Sequence, residues 1–351
     1  MAAPPRDDLI AQVQANLDAF VAVQRHRLAD AGPEAAALLD AAQVSVSGGK
    51  RLRAAYCYWG WRAAGGSPGD DRPIAAGAAL EWLQASALAH DDVIDESDTR
   101  RGRPAAHRAF AAQHLDRGWR GDPQHYGTGA AILLGDLMLS WADETFGPCR
   151  HSDTAAAHFD ACKSEVVAGQ FLDVVAEAAA DPTVESAMRV VRYKAAKYTV
   201  ERPLLIGTTL AGAGPALVEA MSGFGLPVGE AFQLRDDVLG MFGDAAVTGK
   251  PAGDDIRAGK RTVLVARAYE QADPAQRAIL DDSVGDPELD ADGVDHVRDV
   301  VRATGALAAV EEHIEMLHHA ALEALDRTPL GDDSARVALV ELAERSVQRE
   351  R

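Results

Sequence analysis

The sequence predicts an all-α protein of about ten or more helices, and three observations carry that reading. Alanine dominates the composition. Apolar residues recur at steps of three, four and seven over long stretches. Runs rich in Val, Ile and Thr bounded by tight two-residue turns are nearly absent. The first stretch, 9–28, sets the pattern with Leu9, Val13, Leu17, Phe20, Val21 and Leu28. Residues 76–96, 128–146, 154–180, 184–212, 216–242, 261–281 and 304–325 share its period and are expected as helices in that order. Breakers separate them: AGGSPGDDRP at 64–73, DRGWRGDPQHYG at 116–127, GDAAVTGKPAGDD at 243–255 and DDSVGDPELDADG at 281–293. None is long or biased enough to serve as an interdomain linker, and no fixed-period repeat occurs. A single all-α domain over residues 1–351 is therefore expected. The acidic 281–293 stretch reads as a solvated loop rather than a second metal site.

Composition narrows the function. The chain of 351 residues carries 54 Asp and Glu against 35 Lys and Arg, a net charge of −19. Phosphate backbones are bound by net positive surfaces, so nucleic acid is excluded as a general partner. Cys57, Cys149 and Cys162 lack metal-ligand spacing and cannot all pair within one chain, so reduced thiols and a cytoplasmic location are expected. No run of roughly 18 apolar residues is present to span a bilayer. The N-terminal MAAPPRDDLI lacks the basic flank and apolar core of a signal peptide.

Residues 90–104, HDDVIDESDTRRGRP, concentrate Asp91, Asp92, Asp95 and Asp98 and then Arg100, Arg101 and Arg103. Asp91 and Asp95 are four apart, so on a helix their carboxylates stack on one face. Stacked carboxylates repel unless a cation joins them. Mg²⁺ takes one or two carboxylates together with waters and substrate phosphates, and arginine forks suit phosphate oxygens. The stretch thus calls for a ligand that is anionic and metal-bound. Gln84, two turns upstream of Asp91, faces the same side. About 145 residues on, FQLRDDVLGMFGD repeats the theme with Gln233, Asp236 and Asp237 on a helical pattern. Facing helices build metal sites in bundles, so two acidic walls around one diphosphate are expected.

Two basic segments complete the set: SGGKRLR at 47–53 with Lys50, Arg51 and Arg53, and TGKPAGDDIRAGKRT at 248–262 with Lys250 and Lys260. Glycine lets backbone approach phosphate closely, but GGK does not have P-loop spacing, and no GxGxxG leads from a strand into a helix. Cys149 and His151 in GPCRHSD lack any surrounding acyl-transfer motif.

Taken in order, GGKRLR, HDDVIDESDTRRG, GQFLD, YKAAKYTVERP, QLRDDVLGMFGD and GKPAGDDIRAGK span residues 48–262. That series resembles the trans-isoprenyl diphosphate synthases, the farnesyl and geranylgeranyl diphosphate synthase family. The resemblance implies the isoprenoid-synthase helical bundle around a central cavity, usually as a homodimer, with Mg²⁺ as cofactor at about three ions per site. Position by position it implies that Asp91 and Asp95 hold two ions with Asp92 in support, and that Asp236 holds a third. It assigns Arg100, Lys194, Gln233, Lys250 and Lys260 to the diphosphate of the allylic substrate. Lys50, Arg53, Gln84 and Arg101 fall to isopentenyl diphosphate, and Gln170 and Asp173 line the cavity near the metals. The catalytic set is thus Asp91, Asp95, Arg100, Lys194, Asp236 and Lys250.

Two departures stand out. The second aspartate motif often reads D-D-x-x-D, and here Gly240 takes its last place; Ala195 follows the YK lysine where Thr or Ser is common. Activity is expected to survive both, and Gly240→Asp is expected to have only a modest effect. A terpene cyclase would leave Lys50, Arg53 and Arg101 without a second diphosphate, and aromatics make up only 5% of the chain. A non-catalytic partner subunit would be expected to lose the metal aspartates. Product length is read from the Asp91 helix as a ruler. Ala87 and Ser86 are small where the family's fifteen-carbon synthases carry bulky aromatics. Leu83 and Leu80 come next on the same face, about 12 and 16 Å down. Trp82 points to the opposite side. Geranylgeranyl diphosphate is the expected main product, with farnesyl diphosphate or a longer chain as alternatives.

Overall fold

The computed structural model describes residues 6–179, 183–243 and 253–347, and among these the regular structure is helical apart from one short hairpin. The contacts gather into two compact units. Unit 1 comprises Met1–Asp160, Pro203–Val218 and Leu330–Ala335; unit 2 comprises Ala161–Arg202, Glu219–Pro329 and Arg336–Arg351.

The chain begins with α1 (Arg6–Arg27), α2 (Pro33–Ser45), α3 (Leu52–Ala63) and α4 (Arg72–Ile94). The hairpin strands β1 (Thr99–Arg100) and β2 (Arg103–Pro104) follow, then α5 (Ala106–Asp116), α6 (Pro123–Phe146) and α7 (Asp153–Ala178). Next come α8 (Val184–Val190), a π-helical segment (Val191–Glu201), α9 (Arg202–Leu210) and α10 (Pro215–Phe242). The chain closes with α11 (Asp254–Arg257), α12 (Val263–Gln271), α13 (Pro274–Ser283), α14 (Ala291–Ala303), α15 (Ala306–Asp326) and α16 (Asp333–Val347).

Helix starts follow local chemistry. Asp122 accepts from the Gln124 N–H with Pro123 at the first position of α6, and Thr183 and Ser186 form a capping box on α8. The expected helix over 261–281 is corrected to two. Asp273 caps α13 in a box with Gln276, and Pro274 begins that helix because it cannot donate to the end of α12. The 281–293 stretch is loop only in part, since Asp290 caps α14 through the Gly293 N–H. Helices α2, α3, α5, α11, α14 and α16 were not read from periodicity. In α3 most side chains from Ala54 to Ala63 are buried, so no polar face marks its period.

In unit 1, Trp82 of α4 lies with its ring 5.8 Å from Phe20 of α1 and 5.1 Å from Trp141 of α6. It turns away from Asp91, as the nine-residue spacing requires. The second pair is edge-on and the first tilted; such ring contacts add about 0.5–1.5 kcal/mol beyond burial and pin the rotation of α4. Unit 2 packs Leu234, Val238 and Met241 of α10 in one core with Val263 and Leu264 of α12 and with Val297 and Val301 of α14. Among the described residues, no helix is long and apolar enough to cross a membrane.

Candidate active site

In unit 1 the acidic end of α4 meets the hairpin. Asp95 caps α4 and its N–H donates to the Asp91 carbonyl at 2.8 Å, so the two acids remain one turn apart. Thr99 pairs with Pro104 and Arg100 with Arg103. The two-residue turn places Arg101 at φ 54° and Gly102 at φ 72°, a left-handed pair of the kind a tight antiparallel turn needs. The expected basic loop is therefore a hairpin, with an arginine held at its tip in a backbone region that non-glycine residues enter at a cost of about 1–3 kcal/mol. Such outliers concentrate at functional sites.

The hairpin returns Arg100 to the acids. Its Nε donates to Asp92 Oδ1 at 2.7 Å and its Nη2 lies 3.3 Å from Asp91 Oδ2. Burial pulls the Arg100 guanidinium down, but the Asp92 hydrogen bond and the charges of Asp92, Asp91 and Asp95 outweigh it and raise its pKa. Asp92 is buried and turned to Arg100. Asp91 and Asp95 are partly exposed.

Arg101 stands beside the SGGKRLR segment, since a Cβ on Gly49 would lie 3.5 Å from its Nη1. Burial first, and then the guanidiniums of Arg51, Arg53 and Arg100, hold Arg101 below its ordinary value against the pull of Glu81. Of these guanidiniums, Arg51 is paired with Glu81 and Arg100 with Asp92. Sequence reasoning missed Glu81, a lone acid in an apolar stretch of α4. Its Oε2 accepts from Arg51 Nη1 at 2.8 Å, both side chains being almost fully buried. Arg51 also donates to Gln14 at 2.5 Å and to the Val46 carbonyl. Arg51 is thus the tether of the loop. Breaking such a buried pair costs about 3–5 kcal/mol, which holds Lys50 (exposed) and Arg53 (half-buried) at fixed places. Gln84 is half-buried on the Asp91 side.

A cavity of about 520 Å³ adjoins this cluster, with Arg100, Arg101 and Arg103 on one side and Ala85, Leu88 and Ala89 of α4 on another. The ruler residues do not line it. Leu80, Leu83 and Ser86 are buried and Ala87 is half-buried, on another face of α4.

In unit 2 the π segment carries Lys194, whose Nζ lies 2.5 Å from Asp173 Oδ2 of α7. Two glycines bring the elements together. A Cβ on Gly169 of α7 would fall 2.2 Å from the Lys194 nitrogen, and one on Gly229 of α10 would fall 2.6 Å from the Ala196 carbonyl. Only hydrogen fits at either contact. Inserted π turns concentrate at functional sites, and this one was invisible to periodicity. Gln170 Nε2, next to Gly169, is buried and makes no hydrogen bond among the described residues. An unmet buried donor costs about 1–3 kcal/mol.

On α10, Gln233 Nε2 donates to Asp237 Oδ1 at 2.8 Å while Asp236 is exposed. Burial, and then the carboxylates of Asp236 and Asp255, push Asp237 up to about 8, with the Gln233 hydrogen bond and Lys260 opposing. Lys260 Nζ lies 3.7 Å from Asp255 Oδ1. Ala195 is buried, so the residue that departs from the common Thr or Ser packs against the interior. Lys250 lies outside the described residues.

Three comparisons place the chain among known proteins. Residues 35–303 match the family model for polyprenyl synthetases. The short chain isoprenyl diphosphate synthase of Methanothermobacter thermautotrophicus is 31% identical over 93% of this chain and 94% of that protein. The geranylfarnesyl diphosphate synthase of Aeropyrum pernix is 31% identical over 86% of this chain and 91% of its own. A solved geranylgeranyl pyrophosphate synthase from Corynebacterium glutamicum, complexed with isoprenyl diphosphate and magnesium, is 39% identical. It superposes with a TM-score of 0.93, covering 99% of this chain and all of the other.

Proposed function

The chain belongs to the polyprenyl synthetase family and is a prenyltransferase, and from that premise we propose that it makes geranylgeranyl diphosphate from isopentenyl diphosphate and allylic prenyl diphosphates. The observation that carries the assignment of residues is the hairpin that brings Arg100 against Asp91 and sets Arg101 beside the glycines of SGGKRLR.

The donor set fits Mg²⁺. Asp91 and Asp95 lie one turn apart at the end of α4, and Mg²⁺ takes one or two protein carboxylates and fills its octahedron with water and phosphate oxygens. In this reading Asp91, Asp95 and Asp236 hold about three ions, with Asp92 orienting Arg100. When bound, Mg²⁺ neutralises the diphosphate and makes it a leaving group.

The chain's own groups do the rest. Arg100, Lys194, Gln233 and Lys260, together with Lys250, gather the allylic diphosphate as its charge develops. Lys50, Arg53, Gln84 and Arg101 hold isopentenyl diphosphate, and Gln170 offers its buried donor near Asp173. Loss of diphosphate leaves an allylic cation, which the double bond of isopentenyl diphosphate attacks. The released diphosphate then takes the proton, which accounts for the absence of a dedicated His or Glu base. Buried apolar side chains along α4 keep water from the cation.

For product length, Ala87 is half-buried above the fully buried Leu83 and Leu80, consistent with a floor two layers down. Relatives of similar identity include geranylgeranyl, geranylfarnesyl and farnesyl diphosphate synthases, so the reading of product length rests on the small residues at 86 and 87. Purified protein given isopentenyl diphosphate, allylic primers and Mg²⁺ is expected to yield mainly the twenty-carbon chain after dephosphorylation and chromatography. Ala87→Phe should shift the product to fifteen carbons or fewer, and Leu83→Ala should lengthen it. An unchanged distribution in the Phe variant would refute the ruler. A cytoplasmic homodimer goes with this reading. Its support is the exposure of Leu133 at 63% and Ile132 at 43% on α6 and the three buried cysteines, which suit a reducing compartment. A monomeric mass in sedimentation would overturn the dimer.

A further inference from the structure

Gly240 lies one turn beyond Asp236 and Asp237, on the same face of α10. It is not an empty place. A Cβ built there would fall 2.2 Å from Asp255 Oδ2 and 3.4 Å from Asp255 Cγ. The carboxylate of a residue fifteen positions later therefore occupies the spot from which any side chain at 240 would start.

Asp255 is firmly seated. Its neighbour Ile256 is 1% exposed in the unit 2 core, and the Ile256 carbonyl accepts from the Gly285 N–H at 2.9 Å. From this anchor Asp255 reaches two ways. Its carboxylate covers Gly240. It also meets Lys260, with Oδ1 3.7 Å from the lysine Nζ and its backbone carbonyl accepting from the Lys260 N–H at 3.0 Å.

We propose that Asp255 is the positioning residue for Lys260, and that position 240 is glycine so that this carboxylate can enter. The inference rests on the reading of Lys260 as a ligand of the substrate diphosphate. A lysine carries one of the largest side-chain entropies to be lost on binding. A fixed carboxylate beside the ammonium removes much of that loss beforehand. Geometry and simple charge make opposite predictions. If Asp255 were only a negative charge near an anion, deleting it would tighten diphosphate binding. If it positions Lys260, deleting it weakens binding.

The test is calorimetric titration of the full-length protein with inorganic diphosphate in the presence of Mg²⁺. Asp255→Ala should weaken binding about 3- to 10-fold, and Asp255→Asn, which keeps the acceptor, should recover most of it. Gly240→Asp alone should also weaken binding, because two carboxylates then compete for one place. This revises the modest effect that the sequence implied for that substitution. Combining Gly240→Asp with Asp255→Ala should restore affinity, the carboxylate now being supplied from α10 itself. Lys260→Ala should weaken binding, and adding Asp255→Ala to it should cost nothing more. Tighter binding in Asp255→Ala, or a combined variant no better than Asp255→Ala, would overturn the proposal while leaving the prenyltransferase reading intact. No loss in Lys260→Ala would remove the role of Lys260 and the proposal together.

Discussion

Asp91→Ala is expected to lower turnover at least about a hundredfold, the scale of losing one preorganised electrostatic group in a reacting site. Asp95→Ala should do the same. Neither change should unfold the protein. Asp91 touches Arg100 only at 3.3 Å, whereas the Nε bond from Arg100 to Asp92 at 2.7 Å survives its removal. Asp95 ends α4 through its backbone N–H, which alanine retains. Steady-state condensation at saturating Mg²⁺, with a thermal melt as the folding control, checks both points. Retention of more than about a tenth of wild-type turnover, far above the loss expected for such a group, would remove these two residues from the metal wall.

Asp236→Ala should be nearly as damaging, again by about a hundredfold or more. The argument is a contrast within one turn of α10. Asp237 is hydrogen-bonded to Gln233 and pushed up to about 8, first by burial. Asp236 is exposed, where a cation can be met. Its removal exposes no cavity and leaves the Leu234, Val238 and Met241 packing untouched. Activity measured across a Mg²⁺ titration decides the matter. A variant with wild-type turnover at all Mg²⁺ levels would show that α10 contributes no ligand at 236.

Local chemistry made much of this readable before any coordinates. The acids Asp91 and Asp95, the arginines Arg100 and Arg101 and the Gln233–Asp237 pair lie within a few residues of one another. Helical spacing alone puts them on common faces. Helix boundaries were legible where a cap or proline fixed them in the chain and were missed where burial hid the period, as in α3. The break at Asp273–Pro274 was available in the residues, but the apolar pattern on either side of it masked the stop.

By itself, then, the sequence determined the all-α class, the acidic and basic motifs, and the chemistry those motifs serve, because each depends on side chains close together along one helix or turn. Tertiary structure alone decided which charges are spent inside the protein. Arg51 tethers its loop to Glu81, thirty positions away; Arg100 is folded back on Asp92 by a left-handed turn at Arg101. It also decided the π insertion that brings Lys194 to Asp173, and the entry of Asp255 into the place left by Gly240. These are contacts between segments distant in the chain. Their geometry is set by how closely two backbones approach and by which buried charges find partners, and no residue spacing encodes either quantity.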